Sequence, residues 1–476
     1  AGGFPANYGN RISSVLSITG REGDSKNGRL PDSLLIYNIS YPPIYYPIGA
    51  KIINILRSTS KSIINNNKSM RENKLKKYWD FSKGKGEISL LSSKILAEGF
   101  LFNGSWMFSA RRTYFDRFVN MYYDYIDDTS PANYYFWDTH FKAKTSITPN
   151  NQLIYSQFSG KDDLFVSIGG EDFPAIEFNW DWGNQTKSLT WRFIPNANYI
   201  LNTTIAKTKY NFKVDFGIDF IVLEDPTNEF SESSNDLELI LDNLVEDVDI
   251  NQDLKYIYND NLTLETGWQL KHLNLDYKEI FQNDTVAHLE SIPKIYSGFI
   301  NMTYKPFPLI YINSGLRMSK SNRYDEMIYN PRIAIKISPT DNLALKLSAG
   351  KYSQFLYTIN QEEELLRIVD FWQPTPIDKE PQESIHYIIG TEYWISDGNT
   401  LSIESYFKDY SNIYDLNPKA DGADIEQTLS LSGTAKSFGI ELLYRLKLRK
   451  LSGWVSYAYS HTERTVDLNS NNNIES

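Results

Sequence analysis

The chain has 476 residues, too many for one ordinary globular core and suited to one large barrel or to several soluble domains. A net charge of -11 argues against a general nucleic-acid binder, and the absence of cysteine removes disulfide frameworks, thiolate metal sites and cysteine nucleophiles. Aromatic residues are abundant (Tyr 33, Phe 25, Trp 10), which suits either the aromatic girdles of a membrane barrel or an aromatic-rich soluble β protein such as a carbohydrate-binding sandwich.

The opening residues, Ala1-Gly2-Gly3-Phe4-Pro5, have neither the charge nor the apolar core of a signal peptide, so the gene is expected to start earlier. They lead into a Gly-rich turn at Gly9 and Asn10, residue types that accept left-handed backbone, and then into an apolar strand from Ile12 to Ile18. Residues 24–86 alternate poorly and are rich in Lys, Asn and Ile, with Lys74-Leu75-Lys76-Lys77 and Asn65-Asn66-Asn67. They read as a low-complexity insertion or linker, the other reading being a basic arm on anionic lipid. No apolar run reaches the ~18 residues of a membrane-spanning helix. The longest, Leu34 to Ile53, is broken by Pro42, Pro43 and Pro47.

From about Glu87 the pattern changes to strict period two. Ile176, Phe178, Trp180 and Trp182 oppose Glu177, Asn179, Asp181 and Gly183. Tyr210, Phe212, Val214, Phe216, Ile218 and Phe220 oppose Asn211, Lys213, Asp215, Gly217 and Asp219. Ile333, Ile335 and Ile337, then Leu343, Leu345 and Leu347, and later Phe438, Ile440, Leu442, Tyr444 and Leu446, repeat the arrangement. This is strand periodicity with one apolar and one polar face. About sixteen strands are expected between Glu87 and Arg464. They exceed the soluble mode of ~5–6 residues and reach the ~9–11 needed to cross a bilayer at a tilt. Connections alternate between short turns (338–342, 447–453) and long loops (354–383, 412–435), as in an outer-membrane barrel. The apolar rows are therefore expected to face acyl chains and the polar rows a wet lumen. The polar segment Asn469 to Ser476 does not resemble a closing strand, so further strands are expected beyond it.

Several motifs resemble those of TonB-dependent receptors. Gly2 to Ile18 is similar to the end of their plug domain, with Asn10 where the family usually has a second Gly. Ser89 to Ser93, Gly104 to Tyr114, Asn330-Pro331-Arg332, Asn342 to Phe355, Asp370-Phe371-Trp372-Gln373-Pro374, Lys436 to Glu441 and Ser452 to Arg464 then follow in family order. The ordered set resembles the variant common in Bacteroidota-like bacteria. The resemblance implies an all-β fold, an antiparallel transmembrane β-barrel of 22 strands in the intact family with about 16 here, and a short plug remnant. It divides the chain into a plug end (1–23), an atypical insertion (24–86) and a partial barrel (87–476). It implies active uptake of an extracellular siderophore, vitamin, glycan or peptide across the cell outer membrane. TonB and its inner-membrane energising complex act through a plug portion preceding Ala1, and outer-membrane lipid surrounds the barrel. A passive or adhesive outer-membrane barrel and a soluble carbohydrate-binding β protein are the alternatives.

Candidate site residues follow. Gly3, Pro5, Tyr8, Gly9 and Arg11 form the plug motif that the resemblance assigns. Asp370, Phe371 and Trp372 lie in a long loop beside acidic residues, where a ring can stack on a ligand or anchor the loop on its neighbours. Arg111 and Arg112 point to opposite faces of one strand. One of the two is expected to face the lumen, for plug docking, anionic-ligand contact or a rim ion pair, and the other to sit near an interface; Arg111 is the candidate ligand contact. Asp247, Asp249, Asn251 and Asp253 have the alternation of a calcium loop. They lack its turn glycine and distal glutamate, and strand geometry puts the same residues on the lumen face without any metal. No spacing of the histidines, nucleophile elbow or phosphate loop suggests an enzyme, and no cofactor is implied.

Overall fold

The computed structural model describes residues 4–12, 79–126, 132–170, 173–219, 237–359, 371–416, 430–448 and 451–466. The strands are β1 Trp79–Ile88, β2 Ser92–Leu101, β3 Gly104–Thr113, β4 Ala132–Thr148, β5 Asn151–Gly170, β6 Phe173–Asn196 and β7 Tyr199–Asp219. There follow β8 Leu237–Asn259, β9 Leu262–Phe281, β10 Asp284–Ser291, β11 Lys294–Phe307, β12 Ile310–Ser321, β13 Tyr324–Thr340 and β14 Leu343–Gln354. The last are β15 Leu356–Ile359, β16 Phe371–Pro374, β17 Gln382–Ser396, β18 Asn399–Leu416, β19 Ser430–Leu448 and β20 Leu451–Val466. Among the described residues there is one helix, α1 (Phe115–Ile126), between β3 and β4 in sequence.

All but β15 and β16 form one 18-stranded sheet in which sequence neighbours pair antiparallel. β10 and β11 act as one strand against β9, broken at Pro293: Ser291 pairs with Leu275 and Lys294 with His272. β15 and β16 form a separate small hairpin. The sheet starts at Trp79, ahead of Glu87 where the alternation becomes legible, because β1 (WDFSKGKGEI) carries charge and glycine instead of an apolar row. The expected loop 354–383 is shortened by β15, β16 and the start of β17, and loop 412–435 by extension of β18 and β19.

Burial is inverted relative to a soluble protein. Outward residues stay exposed although apolar, such as Ile389 (60%), Ile300 (53%) and Ile440 (49%), while inward Arg317, Asn330 and His386 are each 1% exposed. An apolar row of this size is stable outside only against hydrocarbon. The turns Pro149-Asn150, Ala197-Asn198, Asp260-Asn261 and Asp341-Asn342 lie on one rim; the opposite rim mixes two-residue connections (282–283, 322–323) with longer ones. Backbone bonds brace each to the next: Ile194 N donates to Asn150 O, Ile257 N to Asn198 O and Lys305 N to Asn261 O, all at 2.8 Å. The Asn198 side chain adds a bond to Ile257 O at 2.7 Å. Outward aromatics gather just above this rim, with Trp191 beside Phe193 (5.9 Å) and Tyr199 stacked on Tyr256 (4.7 Å). This is one boundary girdle of a transmembrane β-barrel.

Following each outward row away from that rim locates the other boundary. β7 runs Tyr199, Leu201, Thr203, Ile205 and then Lys207; β14 runs Leu343, Leu345, Leu347, Ala349 and then Lys351; β17 runs Ile395, Tyr393, Thr391, Ile389, Tyr387, Ile385 and then Glu383. The first outward charge on β3 is Arg112, on β5 Lys161, on β12 Lys320 and on β18 Asp409. Neighbouring outward charges pair above this level, as in Lys351–Glu383 (2.8 Å).

Beyond that level the polarity of the wall reverses. The apolar rows Tyr210–Ile218 and Phe178–Trp182 face inward, not toward acyl chains as their alternation alone suggests, and Asp181, Lys209, Lys213, Asp242, Asp276 and Lys278 face outward. Phe212, Val214, Leu241 and Tyr277 are buried there. The reason is a phase change within single strands: β7 is apolar at odd positions up to Ile205 and at even positions from Tyr210. Period two identifies two faces but not which of them meets lipid.

We expect Ile389→Arg, in the centre of the outward band, to cost about 2–4 kcal/mol of folding stability. Asp325→Arg, outward but above the first charges, should change it by no more than about 0.5 kcal/mol. Urea titration of the protein refolded into vesicles measures both.

Candidate functional site: a socket on the inner wall

Residues 4–12 cross the interior and dock on strands more than three hundred positions away. The Arg332 Nη1 donates to three backbone carbonyls, of Phe4 (3.2 Å), Pro5 (2.6 Å) and Tyr8 (2.7 Å). Its guanidinium packs against the Phe4 ring (4.8 Å) and the Tyr352 ring (4.4 Å) in one three-membered cluster. The Phe4 and Tyr352 rings are themselves 4.5 Å apart. At the other end of the segment His386 Nε2 donates to Ile12 O (2.8 Å), and Ile12 N donates to Gln354 Oε1 (3.3 Å).

Cross-strand register explains how these groups converge. Gly315 of β12 pairs with Arg332 of β13, Arg332 with Gly350 of β14, and Gly350 with His386 of β17. They form one inward row in which glycines alternate with the two functional side chains. A Cβ on Gly350 would lie 3.1 Å from Arg332 Cγ and 2.9 Å from Tyr352 Oη, and one on Gly315 would lie 2.8 Å from Ala6 Cβ. The missing side chains let the guanidinium lie along the wall and let the docked backbone approach it. Gly9 meets the wall in the same way: a Cβ there would fall 2.1 Å from Arg317 Nε. Arg317, buried one step along, donates from Nη2 to Gln269 Oε1 (2.6 Å).

Of the plug-motif residues, Pro5 and Tyr8 supply carbonyls to Arg332 and Gly9 fits against Arg317; Gly3 lies outside the described residues. Arg11 stands over the Trp372 ring at 5.7 Å. Trp372 itself packs on the cluster of Leu273, Leu275 and Phe355. Phe371 pairs through its backbone with Ile359, and Asp370 lies outside the described residues. Arg111 faces inward elsewhere on the wall, bound to Asp138 (2.6 Å) with its guanidinium over Phe136 (4.7 Å). Arg112, outward, bonds Asp116 of α1 (3.0 Å).

Asp247, Asp249, Asn251 and Asp253 share the inner face of β8, each with a side-chain partner. Asp247 pairs with Lys271, Asp249 accepts from Gln269 (2.5 Å) and from Asn251 (2.8 Å), and Asp253 accepts from Asn202 (2.8 Å). Among the described residues no group of His, Asp and Glu is arranged to hold a metal ion.

The inner wall beyond the membrane carries a second feature. A single register row runs Trp182 (β6), Phe212 (β7), Asn243 (β8), Tyr277 (β9) and Leu289 (β10). Asn243 is 0% exposed and neither its Oδ1 nor its Nδ2 has a partner; the indole Nε1 of Trp180, next along the inner face of β6, also lacks one. Unpaired buried amides are costly and call for an explanation.

Residues 91–475 match the family model described as TonB dependent receptor-like, beta-barrel, and the chain belongs to that family. No curated relative matches this sequence. Among solved structures it is similar to the RagAB peptide importer in its closed-closed state, with 10% identity, a TM-score of 0.51, and coverage of 79% of this chain and 50% of that one. It is also similar to the siderophore receptor PirA from Pseudomonas aeruginosa, with 11% identity, a TM-score of 0.53, and coverage of 80% and 65%. P. aeruginosa FpvA bound to heterologous pyoverdines gives 10% identity, a TM-score of 0.54, and coverage of 81% and 56%. At such identities the likeness is one of fold. The chain spans between half and two thirds of the length of these structures.

Arg332→Leu should free residues 4–12. Losing even one charged hydrogen bond of about 3 kcal/mol predicts about a hundredfold loss of amide exchange protection at Ala6 to Ile12, read by hydrogen–deuterium exchange. Arg111→Leu, remote from the socket, should leave that protection unchanged.

Proposed function

We propose that the intact protein is an outer-membrane receptor that takes up an extracellular ligand by active, TonB-dependent transport. The observation that carries this reading is the socket. A segment placed like the end of a plug is held inside the barrel by charged hydrogen bonds to its backbone. A passive pore has no use for such an obstruction, and an adhesin none for an inner wall built to grip one. The outward apolar band argues against the soluble carbohydrate-binding alternative.

In this reading TonB, coupled to the inner-membrane energising complex, pulls on the portion of plug that precedes the docked segment. The work must rupture a defined set of contacts, those of Arg332, His386 and Gln354. The ligand enters from the rim opposite the braced turns and meets the inward aromatic row that holds Trp182. An aromatic inner face with the Glu279 carboxylate beside it, accepting from the Tyr277 hydroxyl, suits a ligand with flat apolar surface.

Two outcomes are expected. A protonophore should abolish accumulation of ligand by cells making the intact receptor while leaving binding at their surface; accumulation that survives it points to a passive pore. Asn243→Leu should raise folding stability by about 1–3 kcal/mol, because it removes an unpaired buried amide, and Trp182→Ala, at the partly exposed end of the same row, should weaken ligand binding at the cell surface. A loss of stability instead would assign Asn243 a purely structural role.

A further inference from the structure

The helix α1 is amphipathic in the wrong sense for a soluble surface. Phe115, Phe118, Tyr122 and Tyr125 recur at helical spacing, with Met121 beside them. All five are exposed, Tyr125 at 87%. Asp116, on the opposite side of the helix, is buried at 9%. The helix therefore turns a polar side to the protein and an aromatic side outward, the same inversion as the barrel band.

Its position is fixed by two observations. Asp116 bonds Arg112, which points outward from β3 and stacks over the outward Tyr135 ring at 5.0 Å, so α1 sits on the outer side of the wall. Arg112 is also the first outward charge on its strand, following Trp106, Phe108 and Ala110. The helix thus begins where β3 leaves the hydrocarbon, and its aromatic face continues the lipid-facing surface below it.

We propose that α1 lies in the outer membrane–water interface, with Phe115, Phe118, Met121, Tyr122 and Tyr125 inserted at headgroup depth as a lateral anchor of the barrel. Tyrosine suits that depth, since its ring is apolar and its hydroxyl reaches water. The inference rests on the transmembrane reading of the sheet.

The chain contains no cysteine, so each label is unambiguous in a receptor background without other cysteines. Met121→Cys, Tyr125→Cys, Ile389→Cys and Asp325→Cys variants of the intact receptor are labelled with a solvatochromic fluorophore and refolded into phosphatidylcholine–phosphatidylglycerol vesicles. Expected are blue-shifted emission at 121 and 125, with strong quenching by lipids spin-labelled near the headgroup. Position 389 should be quenched best by lipids labelled deep in the chain, and 325 should report water. Water-like emission at both 121 and 125, with 389 still in lipid, overturns the anchor and leaves the membrane reading intact. Water-like emission at 389 overturns the membrane reading itself. Two helix positions are used so that a folding defect in one variant does not decide the result.

Discussion

The solvent outside this protein is hydrocarbon over one band of its height, and that fact determines where every side chain can go. Backbone polar groups have no water to bond there, so each strand must satisfy its neighbours. Apolar side chains must leave the interior, and charges must enter it. Arg317, Arg332 and His386 are inside because the wall's outer face cannot hold them, and once inside they are available to bind something. The socket is thus a by-product of the membrane constraint put to use.

The same constraint ends abruptly at the first outward charges. Above them both faces of the wall meet water or protein, and the inner face becomes the apolar one. The strands β5 to β9 do not stop at the boundary. They continue as one ladder whose register is unbroken from Tyr199–Tyr256 up to Ile218–Leu237. Keeping the ladder while switching the phase of the side chains builds a rigid vestibule from the same strands that cross the lipid. A recognition surface carried on such strands is more precisely placed than one carried on loops.

Much of this is legible in the sequence because strand periodicity is a local property. Tyr210 to Ile218 and Ile333 to Ile337 each announce a strand without reference to any other residue. What alternation cannot convey is direction: both segments look alike, yet one row faces inward and the other faces lipid. The distinguishing signal is the phase change between Ile205 and Tyr210, readable only when a strand is followed through its full length. The socket was less legible still. Arg332 and His386 are 54 positions apart in sequence and meet through two strand pairings, and nothing local to either marks it. The glycines of the same row, Gly315 and Gly350, are a faint signal, since glycine in a strand often marks close approach of another backbone. The charged, glycine-containing β1 has no apolar row, so the sheet extends ahead of the first legible alternation.

Arg332 recognises the docked segment through carbonyl oxygens, which every residue possesses. Such a grip constrains the path of the segment far more than its sequence. Residue type matters where the Phe4 ring packs on Arg332 and Tyr352, and where the backbone comes closest: Gly9 against Arg317 and Ala6 against Gly315 leave no room for larger groups. A contact of this kind suits a part that must be held in one place and yet let go. Each of its hydrogen bonds is lost as soon as the backbone shifts by an ångström or two, because the geometry weakens steeply with distance and angle. The charged donors are then free to bind water or a passing ligand, so the released state is not left with the full cost of an orphaned cation.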